Sequence, residues 1–318
     1  MVLTDNCGRP LLNLRIAITQ RCNFRCDYCH KEGEECSRGD CEEMAVGEIV
    51  RIAEVAVGLG ITRIKLTGGE PLMRQDLCDI VKGIAAIPDV KDLSLTTNGS
   101  LLAFEAERLR TCGLRRVNIS LPTLNAEAYT KLTDGNLENT LEGVKAAVAA
   151  GFNPVKLNMV VLNGVNVDAV PEMIDFAMQT GTILQLIELD PVNVDEEYFS
   201  AYHRLLDEYE EMLKQKAVTI ETRRFMHNRH IYHLPDVTVE VVHPTENREF
   251  CAHCTRLRVT SDGMLKTCLM RNDNLIDILT PLRSGASDED LKALFLRANQ
   301  IREPYNKAAG HFSISRNR

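Results

Sequence analysis

Strand-like and helix-like stretches alternate from Leu12 to Leu189, and this alternation limits the possible folds more than any other feature of the chain. Strands are predicted over Leu12–Thr19, Arg63–Thr67, Leu93–Thr97, Arg116–Leu121, Val155–Leu162 and Ile183–Leu189. Helices are predicted between them over Val46–Leu59, Asp76–Ile87, Phe104–Cys112, Leu137–Ala150 and Asp168–Thr180. In the first helix Val46, Ile49, Val50, Ala53, Ala56 and Val57 recur at helical spacing. Gly60, Gly113, Gly151 and Gly181 each follow a helix end, where a residue without Cβ turns left-handed at little cost. Six such β–α repeats predict a parallel sheet with right-handed crossovers, the α/β arrangement that curls into a full or partial TIM-like barrel. An antiparallel sheet with one wet face is the other arrangement the strands allow, and the intervening helices argue against it.

Alternation within the strands constrains the interior. Leu14, Ile16 and Ile18 share one face of the first strand, and Asn13, Arg15, Ala17 and Thr19 the other. The next four strands repeat the division, setting Lys65, Ser94 with Thr96, Asn118 with Ser120, and Lys156 with Asn158 opposite Ile, Leu, Val and Met. Helices must cover the apolar face. The polar face then lines the lumen, where so many polar groups cannot be packed dry without heavy cost. A large, polar, anionic ligand is expected there.

After about residue 195 the repeat stops. Asp195–Lys216 is predicted as one acidic amphipathic helix, followed by strands Val218–Glu221 and Val237–Val242, a loop with three cysteines, and a helix near Asp288–Gln300. The economical division is a partial (β/α)6 barrel over residues 1–230 and a smaller C-terminal domain over 231–318. Net charge is −8 over 318 residues, which disfavours a general nucleic-acid binder. No apolar run approaches the ~20 residues of a membrane span. The first residues lack a signal-peptide layout, so a cytoplasmic location is expected.

The chain has 11 cysteines, and six of them form two spaced triads. Cys22-x3-Cys26-x2-Cys29 follows the first strand directly, where barrel enzymes carry their chemistry. Three thiolates can hold three irons of a [4Fe–4S] cluster and leave the fourth open to a small chelating molecule. A zinc site made by Cys26-x2-Cys29 with His30, Cys36 and Cys41 has compatible spacing. The second triad is Cys251-x2-Cys254-x13-Cys268, which reads as a further open-sided cluster or as a zinc site completed by His243 or Cys36. Arg256 and Arg258 lie just past Cys254 and point the same way if extended, a pair suited to bidentate phosphate recognition.

The first triad is joined by LTGGEPL after the second strand (Gly68, Gly69, Glu70, Pro71), by Thr96-Thr97-Asn98-Gly99 and by Ser120. Together these closely resemble the radical S-adenosylmethionine (SAM) enzymes. The resemblance implies a [4Fe–4S] cluster on Cys22, Cys26 and Cys29. It also implies SAM bound near Tyr28, Gly69 and Ser120, and reductive cleavage of SAM to a 5'-deoxyadenosyl radical that abstracts a hydrogen atom. The late triad with Thr255-Arg256-Leu257-Arg258 narrows the likeness to the GTP 3',8-cyclase family, in its archaeal form, as do CGRP at residues 7–10, Arg15 and KLNMV.

That likeness implies the first step of molybdenum cofactor (molybdopterin) biosynthesis. The radical takes the ribose C3' hydrogen of GTP, and C3' bonds to guanine C8, giving 3',8-cyclo-7,8-dihydro-GTP. It further implies a second [4Fe–4S] cluster on Cys251, Cys254 and Cys268, and GTP held by Arg15, Lys65, Thr96, Lys156, Arg256, Leu257 and Arg258. The implied partners are an electron donor such as ferredoxin or flavodoxin, and the cyclic pyranopterin monophosphate synthase as acceptor of the product. Three departures stand out. Lys65 stands where bacterial relatives often have Arg, keeping the charge but losing the planar fork. Strand six reads QLIELDPVN, with Gln185 and Asp190 where an Arg and a Met-Pro are familiar, and the end SISRNR lacks the bacterial Gly-Gly tail.

Overall fold

The computed structural model describes residues 2–34 and 43–306; Cys36, Cys41 and the C-terminal tail lie outside the described residues. The predicted repeat is present: β1 (Asn13–Ala17), α1 (Val46–Gly58), β2 (Arg63–Thr67), α2 (Leu77–Ala85), β3 (Asp92–Thr97), α3 (Leu102–Thr111) and β4 (Arg116–Ser120). An additional helix, α4 (Ala126–Thr133), then precedes α5 (Leu137–Ala149), β5 (Val155–Val161), α6 (Val170–Thr180) and β6 (Ile183–Glu188). The four glycines expected at helix ends all have positive φ, from 66° to 109°. The apolar strand faces, including Leu14, Ile64, Leu95, Ile119 and Leu157, are buried in the main core with Ile49, Ile52, Ile80 and Val144 from the helices.

The expected single helix over Asp195–Lys216 is two helices, α7 (Glu196–Tyr202) and α8 (Asp207–Lys216). The break is fixed by tertiary contacts. His203 adopts an extended conformation (φ −64°, ψ 137°), its Nε2 lies 2.6 Å from Glu188 Oε1 at the end of β6, and Leu206 is fully buried. Beyond it come β7 (Thr219–Arg223), β8 (Arg229–His233), β9 (Thr238–Val242), α9 (Arg248–Ala252), β10 (Arg256–Val259), β11 (Met264–Lys266), β12 (Ile276–Asp277), α10 (Leu279–Arg283) and α11 (Asp288–Gln300).

Among the described residues all twelve strands belong to one sheet, in the order β12-β11-β10-β1-β2-β3-β4-β5-β6-β9-β8-β7. The C-terminal segment therefore extends both edges of the six-strand repeat: β10 pairs parallel with β1 and β9 parallel with β6. The boundary expected at 230/231 falls inside β8, so the sheet runs through it without interruption. The cysteine-bearing loop of the prediction is partly strand, because Arg256–Val259 alternates polar and apolar residues that fit the free edge of β1. No helix among the described residues is long and apolar enough to cross a membrane.

A half-buried charge cluster fastens the α8 side of the sheet. His243 lies with Nδ1 3.7 Å from Glu188 Oε2 and Nε2 3.4 Å from Glu210 Oε2. Burial alone would lower the imidazole pKa, but the two carboxylates outweigh it and raise it to about 9. Because this folded value exceeds the ordinary ~6.5, the stabilisation is complete below pH ~6.5 and is lost as pH rises through 9. His243→Ala should lower stability by about 1–2 kcal/mol at neutral pH and flatten that pH dependence; urea unfolding at the two ends of the window checks both.

Candidate active site

Strand register brings the polar faces together. Arg258 stands opposite Arg15, Arg15 opposite Lys65, and Lys65 opposite Ser94. Farther along, Thr96 stands opposite Asn118 and Asn118 opposite Lys156, while Asn158 faces Gln185 and Gln185 faces Glu240. Residues opposite one another across a ladder share a face of the sheet, so these groups converge although they are far apart in sequence. They line one cavity of about 370 Å³, within the range of ligand sites. Arg258 and Glu240, from opposite ends of the parallel run, both line it, so the sheet curls around this space.

The lining includes Arg15, Lys65, Thr96, Lys156, Arg256 and Arg258, as well as Tyr28, Gly69 and Ser120. Leu257 is the exception. It sits between two inward-facing arginines, so its side chain turns to the opposite face of β10 and is fully buried in the core. Any contact it makes with a ligand in the cavity is restricted to its backbone.

The cations are distributed around two carboxylates, Glu240 buried and Glu32 largely so, that the sequence does not single out. Glu32 takes both Arg15, at 3.5 Å, and Arg258. Burial would raise the Glu32 pKa, but these two guanidinium groups bring it down to about 2. Glu240 takes Lys156 and accepts a hydrogen bond from Gln185 Nε2 at 2.7 Å, with Arg223 and Arg229 a little farther off. Lys65 donates to Asn118 Oδ1 at 2.9 Å and Arg256 to Met226 Sδ at 3.8 Å. Neither meets a carboxylate among the described residues. Burial, with the neighbouring cations, lowers both pKa values well below the ordinary range. The chamber is thus lined by more basic than acidic side chains inside an acidic protein.

The two cysteine triads occupy opposite ends of this chamber. Cys22, Cys26 and Cys29 follow the carboxyl end of β1, whereas Cys251 and Cys254 precede β10, whose Arg256 pairs with Asn13 at the amino end of β1. Cys268 reaches the same end because Lys266 of β11 pairs with Arg258. The five residues of β1 therefore separate the triads by roughly 16 Å. All six thiols line the cavity and are free. Burial, with the neighbouring thiols, pushes Cys26 up to about 12, and burial raises Cys22, Cys29, Cys251 and Cys268. Three thiolates at either end need a bound metal to remain charged. Among the described residues no three Cys, His, Asp or Glu side chains converge on a single ion. His243 is held by Glu188 and Glu210, and His253 Nδ1 lies 3.0 Å from the Glu249 carbonyl oxygen.

The glycines after β2 serve this loop before they serve a ligand. A Cβ at Gly69 would stand 2.2 Å from the Arg21 carbonyl oxygen, and one at Gly68 2.3 Å from that of Thr19. Backbone bonds from Gly69 N to Thr19 O (2.8 Å) and Glu70 N to Arg21 O (2.7 Å) lock the two loops together. Glu70 is buried and accepts from Leu72 N, Thr97 Oγ1 and Asn98 N, joining the loop to the end of β3. Gly69→Ala should therefore push the cysteine loop aside and cut iron retention at the first triad by at least half; iron analysis after anaerobic reconstitution checks this.

Sequence reasoning missed Glu32, Glu240, Arg223, Arg229 and His227. A signal existed for Glu240, the lone charge in the otherwise apolar second half of Thr238–Val242. The hairpin residues carried none, because β8 was not anticipated.

Comparison with known proteins agrees with this geometry. A family model described as the Radical SAM superfamily matches residues 16–177, and one described as Molybdenum Cofactor Synthesis C matches residues 182–308. Among solved structures, Streptococcus suis SuiB bound to its precursor peptide SuiA superposes with TM-score 0.64 at 16% identity, over 87% of this chain and 63% of SuiB. AnSMEcpe with bound AdoMet gives 0.56 at 16%, over 82% and 75% of the two chains. These likenesses speak to the fold. A curled parallel sheet with a cysteine triad and a Gly-Gly-Glu-Pro loop at the carboxyl ends of its strands defines a radical SAM enzyme, and the chain belongs to that superfamily.

Curated relatives narrow the assignment. The protein named "Probable GTP 3',8-cyclase" from Thermococcus kodakarensis is 48% identical over 96% of this chain and all of its own length. Its namesakes from Methanocaldococcus jannaschii and Pyrococcus horikoshii are 43% and 48% identical over nearly full length. The chain belongs to the GTP 3',8-cyclase family.

Proposed function

We propose that this chain is a GTP 3',8-cyclase acting in the first step of molybdenum cofactor synthesis. The observation that carries the reading is the placement of two cysteine triads at opposite ends of one cation-lined chamber. Cys22, Cys26 and Cys29 would hold the [4Fe–4S] cluster that binds and reductively cleaves SAM, with Tyr28, Gly69 and Ser120 around SAM. Cys251, Cys254 and Cys268 would hold the second cluster beside the guanine.

When loaded, these groups supply the radical chemistry that removes the ribose C3' hydrogen and allows C3' to bond to C8. The protein's task is placement. Arg15, Lys65, Arg256 and Arg258 grip the triphosphate, which brings about four negative charges at neutral pH. Arg and Lys donors fix its oxygens by charge-assisted bonds, Lys156 adds a further cation at the Glu240 end, and Thr96 offers a hydroxyl. Rigid seating within a walled chamber keeps the ribose against SAM and water away from the open radical. A reductant of the ferredoxin or flavodoxin class would deliver one electron for SAM cleavage and a second, taken up with a proton, to reduce the cyclised nucleotide radical, and the cyclic pyranopterin monophosphate synthase would receive the product.

Incubating the reconstituted, reduced protein with SAM and GTP should yield 5'-deoxyadenosine and a cyclised guanosine triphosphate in equal amounts. Formation of 5'-deoxyadenosine with GTP left intact would refute the reading.

A further inference from the structure

We propose that Arg229, with Arg223 beside it, binds the polyphosphate tail of the nucleotide and supplies the cationic contact that strand six lacks. The assignment rests on the function proposed above and adds a site on the β7–β8 hairpin. Strand six contributes Gln185 to the chamber, an uncharged residue whose amide donates to Glu240. The next strand in the sheet is β9, and β8 lies beyond it. Ile231 of β8 stands opposite Glu240, so Arg229, two residues earlier, projects from the same face of the sheet. The hairpin pairs Arg229 directly with Arg223. Both arginines line the cavity.

Charge accounting at Glu240 leaves these two guanidinium groups available. Lys156 takes the near position on the carboxylate, while Arg223 Nη1 is 3.6 Å and Arg229 Nη1 3.8 Å away. One carboxylate thus faces three cations, and two positive charges remain unmatched. The Arg229 side chain is 91% buried, against 63% for Arg223 (9% and 37% exposed), and its further bond is from Nε to the Met226 carbonyl oxygen at 3.2 Å. A buried, under-matched guanidinium is costly unless an anion completes its shell, and its planar fork suits phosphate oxygens. Burial, together with Arg223 and Arg15, lowers its pKa to about 10, so it is still charged at neutral pH.

The hairpin turn carries an independent sign of a missing polar ligand. His227 is buried in the cavity wall with both ring nitrogens lacking any hydrogen-bond partner. Orphaned buried nitrogens are rare, and here they belong to a residue lining the same cavity as Arg256 and Arg229.

Equilibrium titration of the reconstituted enzyme with GTP and, separately, with guanosine tests the assignment. Arg229→Ala should weaken GTP binding about 10- to 100-fold and leave guanosine binding unchanged. Arg229→Lys should recover part of the loss. Arg223→Ala, at a more exposed position, should weaken GTP about 3- to 10-fold. Wild-type affinity for GTP in Arg229→Ala, or an equal loss of guanosine and GTP, would overturn the assignment alone. Failure of the wild-type enzyme to bind GTP would overturn the proposed function and this assignment with it. Should Arg229→Ala not fold, unchanged GTP affinity in both Arg229→Lys and Arg223→Ala would also overturn it.

Discussion

Enzyme carrying Cys26→Ala is expected to bind about four irons in place of about eight and to produce no 5'-deoxyadenosine, a loss of at least a thousandfold. Cys26 is less exposed than Cys22 and Cys29, and the loop it belongs to is locked to Gly69 and Glu70 by backbone bonds. Removing it leaves two thiols at that end of the chamber, too few to hold a four-iron cluster in the usual way. Cys254→Ala should also bind about four irons, yet here SAM cleavage should persist while the cyclised nucleotide disappears. Iron analysis and chromatography of the two products separate the cases. One zinc per triad in the wild-type protein, with no iron bound after anaerobic reconstitution, would contradict the assignment of both ends.

Arg256 and Arg258 should respond to substitution in opposite ways. Each replacement by alanine should weaken GTP binding about 10- to 100-fold, because each removes a charged donor from the chamber. Stability is where they differ. Among the described residues Arg256 has no carboxylate partner and is crowded by Arg15, Arg229 and Arg258, so Arg256→Ala relieves repulsion and should raise the melting temperature of the ligand-free protein by a few degrees. Arg258 is paired with Glu32. Arg258→Ala leaves that buried carboxylate with Arg15 at 3.5 Å and should lower stability by about 1–3 kcal/mol. A purely structural Arg256 would instead destabilise the protein when removed, so the sign of the melting shift decides between the two roles.

These two arginines also mark the limit of what local sequence can say. Their common direction, and the opposite direction of Leu257, follow from the two-residue period of an extended chain. The same period places Arg15, Lys65 and Lys156 on the face away from the helices. The cysteine spacings and the Gly-Gly-Glu-Pro loop are local as well, and they identify the family without any fold. The break at His203 was not visible locally, because its cause is a contact with Glu188 on another element.

Amino-acid order therefore specified which strand faces are charged, where the thiols stand along the chain, and the β–α rhythm that winds the sheet. These follow from stereochemistry within a few residues. Tertiary pairing settled the rest: β10 docking on β1 across most of the chain length, β9 and the hairpin joining at β6, and the carboxylates Glu32 and Glu240 reaching their cations. Such contacts depend on which distant surfaces complement one another when the core closes, and no local periodicity encodes that choice.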